Sequence, residues 1–467
     1  MERALLLAVD LDEPDAAWAT EDSLGELATL AGTVDVEVVG TVTQKLPHPM
    51  PGTYLGKGKL QEVVDARDEL KYDLVIVDAE LTPAQQRNLE KALQVKVIDR
   101  TALILDVFAR RAQTHEGRLQ VELAQLQYRL PRLTGMWTHL SRQGVGGVGL
   151  RGPGETQLEV DRREANNRIS HIKDLLGSVH THRELHRGQR RDNQVPVVAL
   201  VGYTNAGKST LLNSLTGAGV MAEDKLFATL DPTTRRSQLP TGREVLLTDT
   251  VGFINNLPTL LVAAFRATLE EINEATVLVH VLDVTHPNAA EQAATVNEVL
   301  EELGADGKPT VLALNKVDVL DGDPRGQDIL AAIAAELGEK FADAAVPISA
   351  QRGDGLPDLL AAVERTIEED AGFVPVRLAV PFERSDLVDQ FHRLGRVTET
   401  AHDGEGTTIL GTMPKAALGR FEGFLREMPR AVDGGRETTG PDGALPDAAV
   451  AAAAAQTAAD PVPHSAA

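Results

Sequence analysis

Val197-Val198-Ala199-Leu200-Val201-Gly202-Tyr203-Thr204-Asn205-Ala206-Gly207-Lys208-Ser209 is the stretch from which the rest of the chain can be read. Five consecutive apolar residues, three of them valine, form the pattern of a strand buried on both faces. The next eight residues match G-x-x-x-x-G-K-[ST] in full, and Ser209–Leu215 begins a helix. A strand, a glycine turn and a helix in that order gather backbone N–H groups around an anion. They do so at a helix N-terminus, whose partial positive charge favours it. Lys208 then supplies a cation to the β- and γ-phosphates of a nucleotide, and Ser209 a hydroxyl ligand to Mg²⁺. The spacing therefore predicts an α/β domain with nucleotide phosphates at the edge of its sheet.

Reading downstream, Thr310–Leu314 is another buried strand, and it ends in Asn315-Lys316-Val317-Asp318. This N-K-x-D resembles the guanine-specificity motif of P-loop GTPases. A carboxylate at Asp318 pairs with guanine N1–H and the exocyclic amine, a donor edge that adenine lacks. A third strand, around Val346, runs into Ser349-Ala350-Gln351, which resembles the motif whose backbone contacts guanine O6. Between the two ends lies Leu246-Leu247-Thr248-Asp249-Thr250-Val251-Gly252, a strand finishing in D-x-x-G. Asp249 is expected to hold Mg²⁺ through its water shell, and the Gly252 N–H to sense the γ-phosphate. Lys208 and Gly252 are thus the residues that stabilise the transferred phosphate.

Upstream of that strand, Phe227-Ala228-Thr229-Leu230-Asp231-Pro232-Thr233-Thr234 is a polar loop at switch I distance. One of its threonines should ligate Mg²⁺ when GTP is bound, and position alone leaves Thr229, Thr233 and Thr234 open. After Gly252, where many GTPases carry the glutamine that orients the attacking water, stands Phe253. A phenyl ring makes no such hydrogen bonds. Hydrolysis is therefore expected to be slow alone, and a partner can raise it by ~10³–10⁵. Asn205 has two readings. It caps a local turn, or, as in some GTPases, it helps bind a K⁺ that takes the place of an arginine finger.

Composition bounds the remainder. The 467 residues suggest about three domains, and 42% hydrophobic residues are enough for real cores. Cysteine is absent, which excludes a disulfide framework, thiolate metal sites and thiol catalysis. The start, MERALLLAVDLDEPD, does not read as a secretory signal, and no run reaches the ~18 apolar residues of a membrane span. A cytoplasmic protein is expected. Net charge is −23, yet between Arg100 and Arg191 sixteen Lys and Arg face nine Asp and Glu, a local net of +7. One basic segment in an acidic chain points to a localised polyanionic contact.

The order of elements assigns residues 1–99 to an N-terminal α/β domain with a mainly parallel sheet. Its strands are Ala4–Val9, Val36–Val42, Leu74–Asp78 and Val95–Ile98, and its helices Asp15–Leu30, Lys59–Leu70 and Pro83–Leu93. Residues 100–191 read as a basic helical hairpin: a helix from Thr101 to about Leu130 and another from about Glu155 to Arg187. Leu158, Ala165, Ile172 and Val179 lie in one seven-residue row, with Ile169 and Leu176 beside it. The connecting Gly144–Gly154, six glycines in eleven residues, reads as a mobile loop. The nucleotide domain spans 195–370, and a small α+β unit 373–430, ending in a helix Lys415–Leu425. From 431 to 467 an acidic Ala/Pro/Gly-rich tail reads as disordered.

Joined with their flanks, these motifs resemble the HflX family of ribosome-associated GTPases. The telling segments are Gly52-Thr-Tyr-Leu-Gly-Lys-Gly-Lys59, Gly117-Arg-Leu-Gln-Val-Glu-Leu-Ala-Gln-Leu126 and Gly149-Leu-Arg-Gly-Pro-Gly-Glu-Thr-Gln-Leu158. With them go the P-loop, Asp224-Lys-Leu-Phe-Ala-Thr-Leu-Asp-Pro-Thr-Thr234 and Asp249-Thr-Val-Gly-Phe-Ile254. The resemblance selects Ser209 and Thr229 as the Mg²⁺ ligands. It implies binding to the large ribosomal subunit and its rRNA, stimulation of hydrolysis there, and dissociation or rescue of ribosomes under stress. It implies no DNA partner, and a monomer is expected. For Gly52–Lys59 two readings stay open, a family-specific turn and an ATP phosphate site. Two other classes fit some of the same residues: a signalling GTPase whose hairpin binds a protein, and an ATP-driven RNA remodeller.

Overall fold

A computed structural model describes residues 2–11, 18–135, 157–192, 195–217, 226–258, 260–261, 271–322 and 324–426. The N-terminal elements are β1 (Glu2–Leu11), α1 (Thr20–Thr33), β2 (Val36–Leu46), α2 (Lys57–Asp65), α3 (Arg67–Leu70), β3 (Leu74–Val77), α4 (Pro83–Leu93) and β4 (Lys96–Asp99). They form a four-stranded sheet in the order β2-β1-β3-β4, every pair parallel. Alternation along β1 explains the two layers. Leu6 and Ala8 face a core with α1, while Leu5 and Leu7 face one with Leu55, Val63 and Leu89. The start of α4 is a full capping box, with Thr82 and Gln85 exchanging hydrogen bonds and Pro83 at the first turn. The single helix expected over Lys59–Leu70 divides at Ala66 into α2 and α3.

The helix expected from Thr101 to Leu130 is two helices, α5 (Arg100–Arg111) and α6 (His115–Arg129). Ala112 leaves the helical region with ψ of 110°, and the Thr114 side chain starts α6 by accepting from Gly117 N. Helical α5 packs back on α1 and β4, so only α6 pairs with α7 (Gln157–Asp192). The hairpin seam buries Leu119, Leu123, Ile169 and Ile172, and Arg168 spans it to both oxygens of Glu122 at 2.7 and 2.9 Å. The glycine loop 144–154 and the tail from 431 lie outside the described residues.

The central elements are β5 (Val197–Val201), α8 (Lys208–Thr216), β6 (Thr233–Gln238), β7 (Glu244–Asp249), β8 (Val277–Asp283), α9 (Ala289–Glu302), β9 (Thr310–Asn315), α10 (Gly326–Phe341), β10 (Ala344–Pro347) and α11 (Leu356–Asp370). Their six strands run β10-β9-β8-β5-β7-β6, parallel except for the β6–β7 pair. β5 lies between β7 and β8, so the strand order reverses beside it, and the crevice at its carboxyl end is where such sheets bind ligands.

The last unit contains β11 (Phe373–Pro381), α12 (Ser385–Leu394), β12 (Arg396–His402), β13 (Gly406–Pro414) and β14 (Leu425–Arg426), an antiparallel sheet covered on one face by α12. The α-helix expected over Lys415–Leu425 is a 3₁₀ helix, Lys415–Phe424. Gly419 and Gly423 in its interior lower α-helical propensity there.

Candidate nucleotide-binding site

The P-loop follows β5 directly and needs its glycines. Gly202 and Gly207 have φ of 148° and 99°, and a Cβ on Gly207 would collide with the Asn315 amide. The first N–H groups of α8 have no partner within the helix and lie at its positive end. Lys208 is 6% exposed, and its ammonium donates to the carbonyls of Gly202 and Tyr203 at 3.1 and 2.8 Å. Burial lowers its pKa to about 8 against the opposing pull of Asp249. A cleft opens here, lined by Thr204, Asn205, Gly207, Lys208, Ser209 and Thr210 from the loop and α8. Phe227, Ala228 and Thr229 close one side, and Thr250 and Gly252 the other.

Three oxygen-bearing side chains meet at the floor. Ser209 Oγ lies 2.8 Å from Thr229 Oγ1 and donates to Asp249 Oδ2 at 2.6 Å. Asp249 is fully buried, and its Oδ1 has no hydrogen-bond partner among the described residues. Burial raises its pKa, opposed by Lys208 and the two hydroxyls. Hard oxygen donors with an unsatisfied carboxylate oxygen beside a phosphate cradle fit Mg²⁺. Of the three threonines left open by sequence, Thr229 stands at this point; Thr234 instead bonds Thr248 across the β6–β7 pair at 3.0 Å.

At the other end Asn315 straps the site together. Its amide donates to Ala206 O at 2.8 Å and accepts from Ala350 N at 2.9 Å, joining the P-loop to the Ser349-Ala350-Gln351 turn. Lys316, at φ of 69°, pairs with Asp283 at 2.6 Å. Val317 N is held by Ile348 O at 3.3 Å, and Asp318 is half-buried beyond it. Ser349 is buried and accepts from Arg352 N, whereas Gln351 is exposed.

Not every residue named from the motifs faces the cleft. Phe253 is 1% exposed in the core, while its main chain zips to the P-loop through Gly202 O and Thr204 N at 3.1 and 2.8 Å. Leu230 and Val251 are likewise core residues. Asp231 turns to the start of α6, accepting from Gln113 N and Thr114 N at 2.9 Å each. The Tyr203 hydroxyl donates to Glu26 of α1 and accepts from Asn255 N at 2.6 Å, and its ring stacks on Trp18 with centroids 5.9 Å apart. Buried Arg100 completes that contact by binding Glu26 and Asp78. Motif reading had no access to these partners, nor to Thr210, because the pairs are 100 or more residues apart or carry no signature. Only Gly117, a glycine in the first turn of a helix, hinted at a close approach.

Comparison with known proteins agrees with this geometry. Family models match in three successive pieces: "GTP-binding GTPase N-terminal" over residues 21–109, "GTP-binding GTPase Middle Region" over 111–190, and "50S ribosome-binding GTPase" over 197–316. The GTPase HflX of Caldanaerobacter subterraneus subsp. tengcongensis is 47% identical over 91% of this chain and 94% of its own length. The chain belongs to the HflX family of GTPases. The HflX of Escherichia coli strain K12 is 45% identical over 83% of this chain, and that of Alkalihalophilus pseudofirmus 52% over 68%. A crystal structure of SsGBP with GDP matches over 79% of this chain and 99% of its own, at 26% identity with a TM-score of 0.44. As an HflX-family member the chain binds GTP and hydrolyses it to GDP and phosphate on a P-loop fold, in a family that uses Mg²⁺ with GTP. Among the described residues no helix is long and apolar enough to cross a membrane.

Proposed function

We propose that this GTPase acts on the large ribosomal subunit in the cytoplasm, as a monomer, and couples GTP binding and hydrolysis to ribosome dissociation or rescue under stress. The observation that carries the site assignment is the 2.8 Å approach of Ser209 and Thr229 beside the orphaned oxygen of Asp249. Ser209 and Thr229 would hold Mg²⁺ directly and Asp249 through water, and the bound cation would supply charge neutralisation to the phosphates.

The chain's own residues do the rest. Lys208 offers a buried cation whose charged form the phosphates favour, and the N–H groups of α8 surround the β-phosphate. Gly252 approaches Thr204 Cα so closely that a Cβ would lie 2.9 Å away, which leaves its N–H for the γ-phosphate. Asp318 reads the guanine edge, and the Ser349-Ala350-Gln351 backbone its O6. The residue directly after Gly252 is the apolar Phe253, so the attacking water awaits a group from outside. The basic excess between Arg100 and Arg191 supports rRNA as the surface that supplies or orders it, as does the ribosome-binding description of the matched family model.

The test is GTP turnover with and without purified large subunits at several salt concentrations. At least about tenfold stimulation that declines steeply with salt is expected; no stimulation at low salt defeats the proposal. Asn205 is exposed in the cleft at φ of 62°, and its side chain makes no hydrogen bond to the described residues, which supports K⁺ over a turn cap. Exchanging KCl for NaCl is then expected to lower turnover, and equal rates would remove K⁺ from the mechanism.

A further inference from the structure

The five residues around Thr229 are fastened at both ends to the N-terminal half of the chain. On one side Phe227, held at φ of 55°, packs edge-on against Phe108 of α5 with centroids 4.6 Å apart. On the other, Asp231 spends both carboxylate oxygens on α6. Oδ2 accepts from Gln113 N and Thr114 N at 2.9 Å each, and Oδ1 from the Thr114 hydroxyl. Thr114 is already the N-cap of α6, accepting from Gly117 N at 2.9 Å. The switch carboxylate therefore supplies a second, charged cap to the hairpin's first helix from more than 100 residues away.

Gly117 fits that arrangement. It is buried in the first turn of α6, where alanine would favour the helix, but a Cβ there would run into Asp231 Oδ1. The glycine makes room for the switch. Meanwhile Thr229 is two residues from Asp231, a reach of at most about 7 Å. While Asp231 stays docked, the Thr229 backbone therefore stays within about 7 Å of the residue capping α6.

We infer that Asp231 is a positioning residue that couples the Mg²⁺-ligating position of Thr229 to the helical hairpin, with Thr114 and Gly117 as its receptor. The inference rests on the reading of Thr229 as a metal ligand. With GTP and Mg²⁺ bound, Thr229 is held in and Asp231 caps α6; with GDP, the loop is released and the cap is lost. Because such coupling is reciprocal, anything that engages the hairpin in its capped form raises the preference of the site for GTP over GDP.

The experiment uses the full chain with Mg²⁺ and compares a non-hydrolysable GTP analogue with GDP. Amide exchange at Gln113, Thr114 and Gly117 is expected to slow with the analogue and not with GDP. Gly117→Ala and Asp231→Ala should erase that difference and weaken analogue binding about 5- to 30-fold relative to GDP. Asp231→Asn, which keeps an acceptor oxygen, should retain part of both. Thermal melting of Gly117→Ala is expected to be no lower than that of the unsubstituted chain. Equal protection by both nucleotides, or an analogue-to-GDP ratio within twofold in both variants, overturns the coupling. Thr229→Ala separates the two ideas. If it leaves Mg²⁺-dependent analogue binding intact, the metal reading fails; if it alone weakens binding, only the coupling fails.

Discussion

Two turns in this chain combine glycines with lysines ahead of a helix, and they do opposite things. In Gly52–Lys59 several polar groups are paired within the N-terminal domain. Met50 and Tyr54 exchange backbone hydrogen bonds at 2.9 Å, Gly56 N donates to Gln44 at 2.8 Å, Asn88 holds Gly52 O at 2.8 Å, and Lys59 pairs with Glu62 at 2.6 Å. Tyr54 lies over the carboxyl end of β1, accepting from Val9 N at 3.2 Å, and burial pushes its phenol up to about 12. In the P-loop the equivalent crevice beside β5 stays open, and Lys208 and the head of α8 line it. Composition does not make a phosphate cradle. The direction of the N–H groups does, together with whether a side chain of the protein already fills the crevice.

The largest effect that tests this contrast is on affinity. Lys208→Ala should weaken GTP binding by about 10²–10³-fold, through loss of a buried cation from the phosphates, while Lys59→Ala leaves it unchanged in the same calorimetric titration. Equal losses would erase the distinction between the two turns. Next is Tyr54→Ala, which empties the plug over β1. It should cost about 3 kcal/mol of stability in denaturant titration without altering GTP affinity.

Acid sharpens the comparison further. His280 on β8 is fully buried with both ring nitrogens unpartnered among the described residues, and burial, helped by Lys208, lowers its pKa to about 4. Its counterpart in the N-terminal sheet, β3, is Leu-Val-Ile-Val throughout. Since the folded value lies below the ordinary 6.5, the unfolded chain binds the extra proton between the two. Stability is complete above pH 6.5 and falls as pH drops toward 4. The loss relative to neutral pH is about 2 kcal/mol at pH 5. His280→Leu should remove that part of the difference between melting at pH 7 and pH 5; an unchanged pH dependence would assign it elsewhere. Smallest is Asn88→Ala, which frees Gly52 O and should cost about 1 kcal/mol with GTP binding untouched.

The strand before Gly202, the parallel sheets and the guanine end were legible because each is a local pattern. A buried strand is a run of branched residues, and a phosphate turn is a fixed spacing. The break between α5 and α6 was not legible, since the apolar stripe from Phe108 to Leu130 runs through it without interruption. Its cause is a cap at Thr114 completed by Asp231, which arrives from a different domain. The choice among Thr229, Thr233 and Thr234 was hidden for a similar reason, because β6 takes up Thr233 and Thr234 and leaves Thr229 at the floor.

By itself the sequence determined a P-loop GTPase whose nucleotide motifs lie between residues 202 and 351, with Phe253 directly after Gly252. Those are properties of residue types at short spacings, which the backbone realises wherever the segment folds. Only the tertiary structure decided that the Tyr203 hydroxyl, the Phe227 ring and the Asp231 carboxylate make contacts with the N-terminal half of the molecule. That outcome depends on which surfaces the folded domains bring together, and no local pattern encodes it.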